Sequence, residues 1–73
     1  MTEQQYFNDL RKKCRVVVAC NSEWLTLKLL GEYIEVSQAA FYNFIAGYYK
    51  LSREKALKLE EYVDELLELE ELV

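Results

Sequence analysis

Few side chains of this chain are of the types that carry out covalent or metal chemistry. Its 73 residues include two cysteines, Cys14 and Cys20, and no histidine. A structural zinc site needs four ligands, usually closely paired cysteines or histidines, and neither thiol has a recognisable activating partner. A glycine-rich phosphate loop is also missing. We therefore expect no enzyme, no metal and no cofactor, and we expect both thiols to be buried in a reducing compartment.

The composition predicts an all-α protein. There is no proline, and the only glycines are Gly31 and Gly47, whereas the turns of an all-β protein need many more such residues. Leu, Glu, Lys and Ala, which favour helices, dominate the chain. We expect a bundle of four to five helices that forms one domain over residues 1–73.

The first helix is predicted from a capping motif and from apolar spacing. Thr2 can cap the amide of Gln5 while the Gln5 side chain reaches back, which is the capping-box pattern. Apolar residues then recur at three- and four-residue steps on one helical face, at Phe7, Leu10, Cys14 and Val17. The β-branched run at residues 16–18 could instead form a short strand, although it has no evident pairing partner.

The next two helices are predicted from the residues at their ends. The first helix should end before Ser22, and either Ser22 or Thr26 can cap a second helix that runs to a tight turn near Glu35. Ser37 can cap the third helix. That helix should end at Gly47, because glycine adopts the left-handed conformation of a helix C-terminus without strain.

The second and third helices meet the steric demands of two helices that cross steeply over a short turn. Such a crossing needs a small residue where the later helix presses on the earlier one, and Gly31 supplies it. Ile34 and Val36 are the apolar residues that flank the turn. Phe41 and Phe44 have the spacing that returns two large side chains to the core.

This stretch resembles the helix-turn-helix of the lambda-repressor and Cro family, the type of small phage or mobile-element regulators. The resemblance covers about residues 25–63, which include the packing helix after Ser52. It departs from the family at Glu35, where many members carry a left-handed glycine. Either the glutamate bears a steric cost of about 1 kcal/mol, or the turn has another shape. The resemblance implies a sequence-specific DNA-binding transcriptional regulator.

By this resemblance the third helix is the recognition helix, which lies in the major groove of DNA. Gln38 and Asn43 can each donate to and accept from an adenine edge, and Ala39 can contact a thymine methyl group. The helix has no arginine to read guanine, so we expect a site rich in A·T pairs. The residues expected to contact bases are Ser37, Gln38, Ala39, Tyr42, Asn43 and Ala46. The alternative is that this face is only a solvated surface.

Phosphate contacts are expected from both ends of the motif. Thr26 and Lys28 stand at the start of the second helix, where free backbone amides point outward. Tyr48, Lys50 and Arg53 follow the recognition helix and can contact the DNA backbone there. Because these cations are few, we expect modest affinity unless two copies bind together.

The last helix is predicted to run from a cap at Ser52 to about Leu72 and to carry a partner surface. Its apolar seam has the spacing of a coiled coil and consists of Leu59, Tyr62, Leu66, Leu69 and Val73. We expect residues 59–73 to form a dimerisation segment, so that a homodimer binds a palindromic double-stranded DNA operator. Alternatively, this helix folds back against the apolar stripe of the first helix.

The charge distribution leaves a second function open. The net charge is −4, but residues 1–50 hold six basic and five acidic groups, whereas residues 51–73 hold three basic and eight acidic groups. The alternative to DNA binding is therefore an antirepressor or adaptor whose acidic last helix contacts another protein. The basic run at residues 11–15 fits a solvated face better than a DNA contact.

The sequence pattern contains no membrane span and no signal peptide. The longest apolar run, from Val16 to Cys20, is far too short to cross a bilayer. Residues 2–5 are polar and lack the basic-then-apolar order of a signal sequence. We therefore expect a cytoplasmic protein that makes no contact with a membrane.

Overall fold

A computed structural model describes the backbone of residues 2–71 and the side chains to residue 69, and this part of the chain is helical with no strand. Its elements are α1 (Glu3–Cys20), α2 (Leu27–Tyr33), α3 (Gln38–Ala46) and α4 (Arg53–Glu71). The prediction of an all-α bundle with a long last helix is confirmed, and residues 16–18 are helical rather than extended. Within the described range, no helix combines the length and apolar character needed to cross a membrane.

Side-chain caps begin the helices where the sequence predicts them. The Thr2 hydroxyl oxygen accepts from the Gln5 amide at 3.2 Å, and the Gln5 side chain accepts from the Thr2 amide at 3.1 Å, which completes the capping box. The hydroxyl oxygens of Thr26, Ser37 and Ser52 accept amides at the starts of α2, α3 and α4. Each such cap stabilises its helix by about 1 kcal/mol.

The core is a single cluster of apolar side chains from all four helices and the three connections between them, and it includes the predicted face of α1. Its buried members are Phe7, Leu10, Cys14, Val17, Leu25, Leu30, Ile34, Phe41, Phe44, Ile45, Leu51, Ala56, Leu59 and Val63. No polar or charged residue of the described chain is buried with them. The hydrophobic effect therefore holds the four helices together without the desolvation cost of buried charges.

The long helices α1 and α4 pack side by side and run in the same direction. Burial and then the neighbouring charge of Glu60 raise the pKa of Tyr6, and the Lys13 ammonium lies 3.0 Å from the Asp64 carboxylate. A residue further along α1 thus contacts a residue further along α4, which makes the two helices parallel. In this arrangement α4 covers the apolar stripe of α1. Leu59 is fully buried in this packing. The prediction that it lies in a dimer interface is wrong, because its side chain is already part of the domain core.

The two cysteines lie in different environments. Cys14 is fully buried in the core, where burial raises the pKa of its thiol to about 12. Cys20 is exposed at the end of α1. The expectation that both thiols are buried is therefore wrong for Cys20, because six residues along α1 turn it away from the face that Cys14 shares with the core.

Candidate nucleic-acid interface

The packing of α2 against α3 depends on the absence of a side chain at Gly31. A Cβ atom at this position would lie 3.0 Å from Cβ and 3.2 Å from Cγ of Phe41. Because the Phe41 Cβ is attached directly to the α3 backbone, it cannot move aside without moving the helix. The small residue predicted at the crossing therefore sets the distance between α2 and α3.

The turn between α2 and α3 is left-handed at Glu35, whose φ angle is +60°. Of the two alternatives for this departure from the family pattern, the structure has the strained glutamate, at a cost of about 1 kcal/mol. The Val36 amide donates to the Gly31 carbonyl oxygen at 2.9 Å. From α4, the Lys55 ammonium donates to the carbonyl oxygens of Ile34 at 2.8 Å and Glu35 at 3.3 Å. The turn is thus held from outside as well as from within.

Two arginines of α1 hold the other end of α3. Arg11 Nε donates to the Phe44 carbonyl oxygen, and Arg15 Nη2 donates to the Ile45 carbonyl oxygen at 3.0 Å. Arg11 also donates from Nη2 to the Tyr49 carbonyl oxygen at 3.4 Å. Burial, and then the charge of Arg15, lower the pKa of Arg11. Two positive charges therefore satisfy carbonyls at the negative end of the α3 dipole.

This role of the basic run at residues 11–15 is not among the sequence-based predictions. A solvated face was expected throughout, which describes the exposed Lys12 but not Arg11 and Arg15, whose guanidinium groups donate to carbonyl oxygens of α3. The available signal was the spacing of Arg11 and Arg15, which are four residues apart and share one flank of α1. Their acceptors lie 33 and 30 residues away in sequence, so spacing alone could not identify them.

The outward face of α3 carries polar and small side chains without any charge. Gln38, Ala39, Tyr42, Asn43 and Ala46 are all exposed on this face. Ser37 precedes them as the N-cap, and its hydroxyl oxygen accepts from the Ala40 amide at 3.2 Å. The structure thus brings the six expected base-contact residues onto one exposed surface of a single helix.

Of the two phosphate contacts expected at α2, Thr26 is the helix cap and Lys28 is an exposed cation. The Thr26 hydroxyl oxygen accepts the Leu29 amide at 3.2 Å, so this hydroxyl retains its hydrogen as a donor. Lys28 is exposed in the first turn of α2. Both residues stand at the amino end of α2, where the helix dipole favours an anion.

The residues after α3 lie beside the first turns of α1. Tyr48 is 86% exposed, and together with Lys50 it lines an open cleft of about 500 Å³ that α1 borders through Asn8. The Lys50 ammonium lies 2.9 Å from the Glu3 carboxylate. Arg53 lines a different cleft, between the amino ends of α1 and α4. The structure therefore groups Tyr48 with Lys50, whereas Arg53 lines a neighbouring cleft together with Glu3, the partner of Lys50.

The remaining seam residues of α4 are accessible to different extents. Tyr62 and Leu66 are half-buried and Leu69 is exposed, whereas Val73 lies outside the described residues. The Tyr62 ring stacks on Tyr33 of α2, with ring centroids 4.3 Å apart and an interplanar angle of 23°. The seam therefore lies next to α2, a contact that the heptad spacing does not predict.

Comparisons with known proteins identify no relative. No protein-family model matches the chain, and neither a curated protein nor a solved structure matches it significantly. The resemblance to the lambda-repressor and Cro family thus depends on the residues and the geometry described above, and it stays a prediction.

Proposed function

We propose that this chain is a sequence-specific DNA-binding transcriptional regulator of the lambda-repressor and Cro type, which reads the major groove through α3. The observation that carries the proposal is an exposed, uncharged polar face on a helix fixed at both ends. Lys55 holds the turn before α3, and Arg11 and Arg15 hold its last carbonyls. A rigid reading helix loses little conformational entropy when it binds.

Specificity in this proposal comes from side-chain amides. Gln38 and Asn43 each present a donor and an acceptor, which matches the N6 and N7 groups of adenine in the major groove. Tyr42 lies between them in sequence and is exposed enough to reach the groove wall or a phosphate. Each good bidentate pair contributes about 1–3 kcal/mol of discrimination against the wrong base, so A·T pairs are the expected targets.

The functional unit in this proposal is a homodimer on a palindromic operator. Two recognition helices about 34 Å apart reach successive major grooves on one face of DNA. Tyr62, Leu66 and Leu69 are the accessible seam residues that support association. Two copies also double the number of phosphate contacts, which compensates for the few cations on each.

The test is a selection from random duplexes at two salt concentrations, with the Gln38→Ala/Asn43→Ala variant measured in parallel. Both side chains are exposed on α3, so the variant should fold like the parent. A shared motif containing A·T pairs that the variant no longer selects is the expected result. Selection of the same motif by the variant would mean that α3 does not read the bases.

A second candidate function follows from the exposed acidic side of α4. Glu54, Glu61, Glu65 and Glu68 are exposed on this helix, and this acidity favours a basic protein partner over DNA. In this alternative the chain is an antirepressor or adaptor. Negligible binding of any duplex at low salt would favour it, because electrostatic attraction to DNA is strongest there.

A further inference from the structure

The exposed apolar side chains of α2 and α4 form one surface. Leu29 and Tyr33 are one turn apart on α2 and are 42% and 44% exposed. Tyr33 stacks on Tyr62 of α4, and the same flank of α4 continues through Leu66 to Leu69, which is 59% exposed. These five residues are called the α2–α4 surface below. Exposed apolar side chains grouped in this way mark an interaction site more often than scattered ones do.

Contacts at the carboxyl end of α2 show how α2 is oriented relative to α4. Lys55 bonds to the Ile34 carbonyl oxygen, whereas Tyr33, one residue earlier, stacks on Tyr62 further along α4. The two helices therefore run in opposite directions. Leu29 lies one turn before Tyr33, so in this orientation it is displaced from Tyr33 toward the end of α4 that carries Leu66 and Leu69.

The charge of α4 changes sign along its length, and this determines which partner fits. Residues 53–59 carry three basic side chains and one acidic side chain, whereas residues 60–68 carry five acidic and no basic ones. A second α4 in parallel orientation would place acidic half against acidic half. An antiparallel α4 places the basic half of each copy opposite the acidic half of the other, which is electrostatically complementary.

We infer that the α2–α4 surface binds a second copy of this chain, with the two α4 helices antiparallel and a two-fold axis near Tyr62. Lys58 and Glu65 are seven residues apart, so they share one face of α4 on either side of Tyr62. The axis brings Lys58 of each protomer to Glu65 of the partner subunit, and the pair forms twice. The inference rests on the homodimer of the proposed function and adds α2 and an orientation to it.

The position of Lys58 in the monomer supports this pairing. Its ammonium lies 5.2 Å from the centroid of the Tyr33 ring, at the edge of the α2–α4 surface. Both Lys58 and Glu65 are exposed, so a second copy can reach them without unfolding either chain. Tyr33 and Tyr62 then lie near the centre of the interface, where aromatic side chains contribute most to binding.

The experiment is a charge-swap series followed by sedimentation equilibrium in the absence of DNA. Lys58→Glu and Glu65→Lys should each raise the dimer Kd about tenfold, because each replaces two attractive pairs by two repulsive ones. The double variant restores both pairs with reversed polarity and should return the Kd close to that of the parent. Lys12→Glu, on an exposed part of α1, is the matched control and should leave the Kd unchanged.

Three results would overturn the inference. They are a chain that stays monomeric at millimolar concentration, a double variant as weak as the single variants, and a Leu29→Gln variant that dimerises like the parent. Circular dichroism of each variant establishes that the fold is intact. Because no DNA is present, these results are separate from those of the duplex selection, so a failure of the dimer and a failure of base reading by α3 can be told apart.

Discussion

Arg11 contacts both the side chain and the main chain of Phe44. Its guanidinium carbon lies 4.7 Å from the centroid of the Phe44 ring, and its Nε donates to the carbonyl oxygen of the same residue. The ring is buried in the core, while the carbonyl belongs to the last turn of α3. One side chain of α1 therefore fixes both the depth of α3 in the core and the direction of its carboxyl end.

Replacement of Arg11 by methionine should destabilise the fold. Arg11→Met keeps an apolar stem of similar length but removes the hydrogen bonds to Phe44 and Tyr49 and the charge above the ring. We expect a loss of about 1–3 kcal/mol in the free energy of unfolding, measured by urea denaturation. Lys12→Met, at an exposed neighbouring position, should change it by less than about 0.5 kcal/mol. Equal losses in the two variants would contradict the role assigned to Arg11.

Glycine in place of Glu35 should stabilise the protein. The φ angle of +60° at this position is strained for a glutamate and unstrained for glycine. Glu35→Gly should therefore gain up to about 0.5 kcal/mol, which is the strain of about 1 kcal/mol less the entropy cost of about 0.5–1 kcal/mol that glycine adds in the unfolded chain. Thermal unfolding measures the gain. Glu61→Gly, at an exposed position within α4, is the control and should lose about 1 kcal/mol. A loss at both positions would mean that the strain at Glu35 is absent.

Even one added methyl group at Gly31 should be destabilising. Alanine normally favours a helix over glycine by about 1 kcal/mol, but the new Cβ would meet the Phe41 Cβ at 3.0 Å. Overpacking of this kind costs about 1–3 kcal/mol, so Gly31→Ala should unfold at lower urea concentration than the parent. Glu32→Ala, one residue later and exposed, should show little change. A stabilised Gly31→Ala protein would show that α3 moves away freely.

Burial of Cys14 should make stability fall in alkaline solution. Burial raises the pKa of the folded thiol to about 12, from an ordinary value of 9.0, so the folded state keeps a proton that the unfolded state releases. The contribution of the protonated thiol to the free energy of unfolding is complete below pH 9 and is lost as the pH rises towards 12. The slope for one such group is about 1.4 kcal/mol per pH unit. Urea denaturation between pH 8 and pH 10.5 should therefore show a steeper decline for the parent than for Cys14→Val.

Removal of the charge on Glu3 should strengthen DNA binding if the proposed function is correct. Glu3 pairs with Lys50 at 2.9 Å and so competes with a phosphate for that ammonium. An exposed pair is worth about 0.2–1 kcal/mol, so Glu3→Gln should tighten binding by about two- to fivefold, measured by fluorescence anisotropy on the selected operator. Glu61→Gln removes the same charge from the exposed side of α4. If both variants tighten binding equally, net charge rather than Lys50 accounts for the effect.

Local signals in the sequence predicted the helices and most of the core, because caps and apolar spacing act within a few residues. The capping box at Thr2 and the left-handed Gly47 are such signals, and both are present in the structure. Tertiary contacts were harder to predict. Leu59 fits a heptad seam as well as it fits the core, and only the packing of α4 on α1 decides between them. The acceptors of Lys55 and Arg11 lie on distant helices, beyond the reach of any periodicity.

The contacts that the basic side chains make with oxygen atoms of the chain have a consequence for salt dependence. Of nine basic residues, five bond to oxygen atoms of the chain itself, namely Arg11, Lys13, Arg15, Lys50 and Lys55. Each phosphate that a protein neutralises adds about 0.9 to the slope of log affinity against log salt concentration. A protein that pairs most of its cations with its own oxygen atoms should have a shallow slope. If the proposed function is correct, discrimination between DNA sequences should therefore persist at ionic strengths that dissociate regulators with more unpaired cations.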